Sequence, residues 1–427
     1  MIASIRPFIA LYSAVLFLMT GLGLLNTYLG LRLSMEGVSN QVTGLTLTAY
    51  FMGLTAGAFF CRPMIRRVGH IRAYTAFAAV VTGITMCHGL YISPLFWAVL
   101  RFLTGVANIG LYTAIESWLN ECADEGGRGR VFSIYMVVTY LGGTVGQKLL
   151  DVGDVNTQTL FLVAGAFIVF SIIPVSTTRG IHPQLPKKES LSLSTICRKA
   201  PMGLMGCFAA GFMQSGFYTM GPVFAHQIDL DVSQLSWFMS MVLLGGLLLQ
   251  WPVGMISDRT DRSLVLPGLG VLIALVAAGI VYFKGLSFYV LMGGSALFGG
   301  FLFTLYPVAV ARGHDLFDAE DVVKVSSVLL LAYGLGSILG PMTVSSVMTY
   351  TGSPYGFFYF FVVTAFIYGV GSLFLRRAEC VQIVHPDEQV DFVIMNESSA
   401  VAMHMDPRQD AEDGEENQGC DDPSPSI

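Results

Sequence analysis

The chain is poor in charge and in the motifs that charge usually serves. Only 12% of its 427 residues are Asp, Glu, Lys or Arg, about half the roughly 25% of an average soluble domain. With 54% hydrophobic residues and a mean hydropathy of +0.65, that deficit excludes a large water-facing surface. No Gly-x-x-x-x-Gly-Lys-Ser/Thr segment occurs, so ATP drive through a phosphate-binding loop is not expected. The seven cysteines (Cys61, Cys87, Cys122, Cys197, Cys207, Cys380, Cys420) form no Cys-x-x-Cys and no close pair. Neither a disulfide framework nor a metal site is supported. No cofactor, nucleic-acid partner or enzymatic activity is expected.

What the chain has instead is long apolar runs, with 47 Gly and 30 Phe. Twelve runs stand out: 8–31, 41–61, 73–92, 95–119, 131–149, 160–175, 203–224, 235–256, 264–283, 288–311, 325–348 and 357–375. Each approaches the ~20 residues that a helix needs to cross about 30 Å of hydrocarbon. The first run is too long for a signal-peptide core and is read as a retained span. Glycine in such helices lets neighbours approach closely. The expected fold is an all-α integral membrane protein of twelve transmembrane helices in two pseudo-symmetric six-helix bundles.

A repeat supports the two bundles. The arginine-rich loop Arg66-Arg67-Val68-Gly69-His70-Ile71-Arg72 follows the second run, and Asp258-Arg259-Thr260-Asp261-Arg262 follows the eighth. The offset of 192 residues from Arg66 to Asp258 also carries Gly53 to Gly245 and Gly142 to Gly334. Such repeats are typical of transporters built from two like halves. The expected organisation is an N-terminal half, 1–176, a cytosolic linker, 177–200, a C-terminal half, 201–377, and a disordered acidic tail, 378–427. The linker carries Pro183, Pro186, Lys187 and Lys188, and a short amphipathic helix is expected near 191–199.

Lys and Arg set the orientation. Placing both termini in the cytosol puts 19 of the 23 basic residues inside, as the positive-inside rule requires. The expected location is a bacterial inner (plasma) membrane, and a functional monomer is expected.

The loop Gly254-Met255-Ile256-Ser257-Asp258-Arg259-Thr260-Asp261-Arg262 resembles the Gly-x-x-x-Asp-Arg-x-Gly-Arg-Arg signature of the major facilitator superfamily. The resemblance covers about 8–377. The first copy departs from the signature, with Arg66 where the acid is expected; Arg67, Gly69 and Arg72 keep its basic, tight-turn character. Arg67-Val68-Gly69-His70-Ile71-Arg72, Glu116-Ser117-Trp118-Leu119-Asn120 and Arg128-Gly129-Arg130 leading to Tyr135 resemble the YcaD-like branch of that superfamily more specifically. The resemblance implies two six-helix halves and alternating access. On physical grounds, Asp258 at a helix end can cap free N–H groups and pair with Arg259 or Arg262. These residues, with Arg67 and Gly69, are the candidate cytosolic latch.

The fourth run carries the most polar stripe. Taking 100° per residue, Asn108 lies about −20°, Tyr112 about +20° and Glu116 about +60° from Arg101, over about 22 Å of axis. An ionisable residue inside a membrane marks a functional site by default. Arg101 is the candidate holder of an anionic substrate group, with pairing to Asp151 or Asp154 as the plainer alternative. Glu116 is the candidate proton carrier, with pairing to Arg128 or Arg130 as its plainer alternative. Asn108, Tyr112, Asn26, Gln147, Gln214 and Tyr218 complete the candidate substrate site. Gln250, Tyr306 and Tyr333 are weaker candidates, and His314 beside Asp315 reads as an interface residue. Gly336, Gly340 and Pro341 suit a helix that packs closely and bends.

The sequence is therefore read as a secondary active transporter of a small solute, with coupling to protons as the expectation. An exporter of drug-like amphipathic compounds is the first rival, with Phe212, Met213, Phe217 and Met220 as its cavity lining. A membrane sensor or scaffold acting through the tail is the second.

Overall fold

The computed structural model describes residues 2–123, 128–178, 193–285, 287–317 and 321–379, together with Gln389 and Phe392. Most of the expected linker and nearly all of the expected tail lie outside the described residues, as do Lys187, Lys188, Cys380 and Cys420. Among the described residues all regular structure is helical. The first bundle holds α1 (Ile2–Met35), α2 (Asn40–Val68), α3 (His70–His88), α4 (Pro94–Cys122), α5 (Arg128–Lys148), α6 (Thr159–Phe170) and α7 (Ile172–Ser176). A short helix, α8 (Leu193–Lys199), lies where the sequence suggested one and precedes the second bundle. That bundle holds α9 (Pro201–Gln227), α10 (Val232–Arg259), α11 (Arg262–Tyr282), α12 (Phe288–His314), α13 (Val322–Thr351) and α14 (Gly356–Glu379).

Among the described residues, nine helical segments are long and apolar enough to cross a membrane by length and composition, α6 and α7 counting as one continuous segment. The other three, α3, α5 and α9, have 19, 21 and 27 residues and pack among them. The helix of the sixth segment is interrupted at Ser171, three residues before Pro174, which has no N–H to give the Phe170 carbonyl. Many large apolar side chains face outward, among them Phe60, Leu95, Leu248 and Trp251. Water would not tolerate such a surface, and lipid does.

Helix ends follow local chemistry. Ser39 caps α2 by accepting from the Val42 N–H, and Asp231 and Gln234 form a reciprocal capping box at α10. At the turn between α2 and α3, Gly69 has φ +85°, a conformation that costs glycine little. At the matching turn between α10 and α11, Asp261 instead caps α11, accepting from the Ser263 N–H at 2.9 Å.

The two bundles repeat one packing scheme. In the first, α1 packs on α5, α2 on α4, and α3 on α6; in the second, α9 packs on α13, α10 on α12, and α11 on α14. Glycines make the tightest crossings. A Cβ on Gly53 or Gly105 would strike the backbone of the facing helix, and so would one on their counterparts Gly245 and Gly299. Gly336 and Gly340 press α13 against the Phe208 and Phe212 carbonyls of α9 in the same way. The bundles meet through α2 with α13, α5 with α10, and α1 with α9.

Candidate functional site

The ends of the molecule differ. One carries the two arginine-rich turns and is called here the basic end. At the opposite end, polar contacts sew the bundles together. The Ser34 hydroxyl meets His226 Nδ1 at 2.8 Å, the Gln227 amide donates to Asn40 at 2.7 Å, and Lys148 donates to Ser236 at 2.8 Å. Lys148 also lies 4.4 Å over the Trp237 ring. Deeper in, Gln250 donates to the Tyr140 hydroxyl at 2.7 Å.

Below that seam lies a cavity of about 420 Å³ between the bundles. Wall residues towards the opposite end, Leu47, Tyr50 and Arg101, are buried. Phe59 and Leu331, nearer the basic end, are 59% and 41% exposed. The cavity is thus shut at the opposite end and approached from the basic end.

Arg101 is its polar centre. The side chain is 3% exposed, donates from Nη1 to Asn26 Oδ1 at 2.7 Å, and lies 4.3 Å over the Tyr50 ring. Its Nε is buried with no acceptor. Tyr50 is itself held by Asn108, whose amide donates to the tyrosine hydroxyl at 3.2 Å. The alternative partners of Arg101 are engaged elsewhere. Asp151 pairs with Lys148 at 2.7 Å, and Asp154 accepts from Asn156.

Five of the seven expected substrate-site residues line this cavity: Arg101, Asn26, Tyr112, Gln147 and Tyr218. Two do not. Asn108 is fully buried behind Tyr50. Gln214 is spent inside the second bundle, accepting from the Tyr333 hydroxyl at 2.9 Å and donating to the Leu302 carbonyl at 3.2 Å. Gln147 lines the wall while tying α5 to α1, since Thr27 donates to its amide oxygen and its nitrogen donates to the Gly23 carbonyl. Glu116 is fully buried, accepts from the Tyr135 hydroxyl at 3.1 Å, and does not line the cavity. Tyr50, Tyr140, Arg62 and Lys324 line it unforeseen. Only their positions in the assembled bundles, on three different helices, could have shown this.

The lining expected for an amphipathic exporter is not there. Met213, Phe217 and Met220 are fully buried inside the second bundle, where Phe217 packs among Phe238, Phe298 and Phe357. Neither these nor Phe212 line the cavity, and neither does any Asp or Glu among the described residues.

The candidate latch folds back on its own bundle. Asp258 pairs with Arg262 at 2.6 Å, and Arg259 is exposed. Arg262 is fully buried, donates also to Asp315 at 2.6 Å, and reaches Ser257 at 3.1 Å. Asp258 further accepts from the Phe392 N–H at 2.9 Å, while the Phe392 ring lies against Gly254. Asp261 also accepts from Arg376 at 3.3 Å. Burial pushes its carboxyl upward, but the Ser263 hydrogen bonds, the Arg312 charge and the Arg376 hydrogen bond outweigh this and hold it below the usual carboxylate range. In the first bundle Arg67 is exposed and Gly69 forms the turn.

Two like bundles around a central cavity shut at one end define a polytopic membrane transporter. The Major Facilitator Superfamily model matches residues 11–287 and 204–391, and the chain belongs to that superfamily. It is 28% identical over 345 residues to an uncharacterized MFS-type transporter, YcaD, of Escherichia fergusonii, covering 80% of this chain and 89% of the relative. A YcaD of Escherichia coli is 29% identical over 349 residues with the same coverage. The fold matches a variant of the nucleoside transporter NupG with a TM-score of 0.74 at 13% identity, over 86% of this chain and 99% of that one. It also matches a bacterial homolog of the human lysosomal transporter Spinster, in an inward-facing and occupied conformation. There the TM-score is 0.67 at 15% identity, over 90% and 97% of the two chains. The protein is a multi-pass membrane transporter of the YcaD branch.

Proposed function

We propose that the chain moves a small solute by alternating access, as a secondary active transporter, with its binding site in the cavity around Arg101. The observation that carries this is the asymmetry of the seam. The bundles touch through Ser34–His226, Asn40–Gln227 and Lys148–Ser236 at one end, while the cavity is approached from the other. By the positive-inside rule the basic end faces the cytosol and both termini lie there, in a bacterial inner membrane. The conformation is then inward-open. Rocking the bundles about the cavity would part the outer contacts and close the inner mouth.

In this reading Glu116 carries the coupling proton. It is a fully buried acid between α4 and α5, with Tyr135 as partner. It sits outside the cavity, so its protonation would act through helix packing and not by touching the solute. Reconstitution in liposomes tests both parts. Pooled metabolites with an imposed pH gradient should show protein-dependent movement of at least one solute, and Glu116→Gln should lose the acceleration by the gradient. No protein-dependent movement would remove the transport reading. Gradient-driven flux intact in Glu116→Gln would remove Glu116.

A further inference from the structure

The charge of the cavity wall is one-sided. Arg62, Arg101 and Lys324 line it, and no Asp, Glu or His does among the described residues. Lys324 is offset by Asp321 at 3.0 Å, close to the mouth, where both side chains are partly exposed. Arg101 has no such relief. Its hydrogen bond goes to an amide oxygen and its ring contact to an aromatic face, both neutral, and Nε keeps a proton without an acceptor. A buried guanidinium without a counter-ion is an unfavourable resting state, and an anion that arrives and leaves is one way to relieve it.

The rest of the wall describes the body of that anion. Met19, Leu22, Leu47, Leu54, Ile109 and Leu243 are apolar. Tyr50, Tyr112, Tyr140, Tyr218 and Tyr333 add flat rings with hydroxyl tips. Such a surface suits an aliphatic or aromatic skeleton with few polar groups. The volume, about 420 Å³, falls in the range of small-molecule sites.

We infer that the solute is an amphipathic organic monoanion, a carboxylate on an apolar skeleton, with its carboxylate closing on the free edge of Arg101. This rests on the transport reading above. With Nη1 committed to Asn26, the remaining terminal nitrogen would receive one carboxylate oxygen, and Nε, buried beside it without an acceptor, would complete the two-point match as the solute settles. Arg62 and Lys324, nearer the mouth, would draw anions inward and repel cations.

The test is binding to the purified full chain in detergent, read as a shift in melting temperature at pH 7.4. The probes are straight-chain and phenyl-substituted monocarboxylates of two to ten carbons, each with its neutral amide and its amine. The expected result is saturable stabilisation by one or more carboxylates, at least tenfold weaker for the amide and none for the amine. Arg101→Gln should weaken the carboxylate at least tenfold. Asn26→Asp keeps the arginine and supplies a built-in counter-ion, so it should raise the melting temperature of the empty protein and abolish the carboxylate shift. Stabilisation by amides or amines as strong as by carboxylates would overturn the inference. So would no stabilisation by any probe, or carboxylate binding unchanged in both variants. A cation or neutral solute carried in the liposome experiment would leave transport standing and remove the anion.

Discussion

The two bundles build the same corner at the basic end from different chemistry. In the second, Arg262 is fully buried between Asp258 and Asp315 at 2.6 Å each. In the first, the 192-residue offset puts Arg66 opposite Asp258 and His70 opposite Arg262. His70 bonds the Ser117 hydroxyl at 2.7 Å, and its Nδ1 stands 3.8 Å from Glu121. The helix turn between them also differs. Asp261 caps α11, where the first bundle has Gly69 with positive φ and no side-chain cap. One corner is thus held by permanent charge, while the other has a histidine on a serine hydroxyl with ring packing on Trp118. A shared backbone scheme does not require shared electrostatics, and the two halves need not hold with equal strength.

Breaking the second corner should have the largest effect. Arg262→Ala takes the 2.6 Å guanidinium contact away from Asp315, whose side chain is fully buried. The expected loss is about 3–5 kcal/mol, seen as a fall of several degrees in melting temperature, with Arg262→Lys recovering part of it. His70→Ala in the first corner should cost less, about 1–3 kcal/mol for one buried hydrogen bond and its desolvated partner. An equal or larger cost for His70→Ala would break the comparison.

The turns come next. Asp261→Ala should cost about 1 kcal/mol as a lost cap. Because the Asp261 carboxyl is held below its ordinary range, its stabilisation is complete above the ordinary carboxylate range and is lost as pH falls through the lower folded value. Melting curves of Asp261→Asn should therefore show a flatter acid limb than those of the parent. Gly69→Ala should cost about 1–3 kcal/mol, because φ +85° disfavours a Cβ, and Gly69→Asn should cost less. The smallest effect belongs to Asp258→Asn. That side chain is 36% exposed, and such pairs are worth about 0–1 kcal/mol.

The order of the spans, the repeat and the family were legible in the sequence because each is a matter of length, spacing and motif. Arg101 was legible because a lone cation in an apolar run is costly. The stripe on α4 was legible as a stripe but not as a surface. Arg101 and Tyr112 reach the cavity, while Asn108 turns to Tyr50 on α2 and Glu116 to Tyr135 on α5. Rotations of 20° to 60° decide which neighbour a side chain meets, and periodicity does not say which neighbour stands there. Gln214 was misplaced for the same reason. The excess of positive charge in the cavity was invisible because Arg62 and Lys324 come from different bundles.

The central claim is that the seam at the end opposite the arginine-rich turns opens during function. It can be tested without knowing the solute. In a background lacking the seven natural cysteines, a reporter at Thr55→Cys on the cavity wall is combined with Asn40→Cys and Gln227→Cys across the seam. In right-side-out vesicles, a membrane-impermeant maleimide added outside should label the reporter while the seam is reduced. Oxidation to join positions 40 and 227 should stop that labelling, and reduction should restore it. Labelling that continues with the seam locked, or that never occurs with it free, would contradict the account.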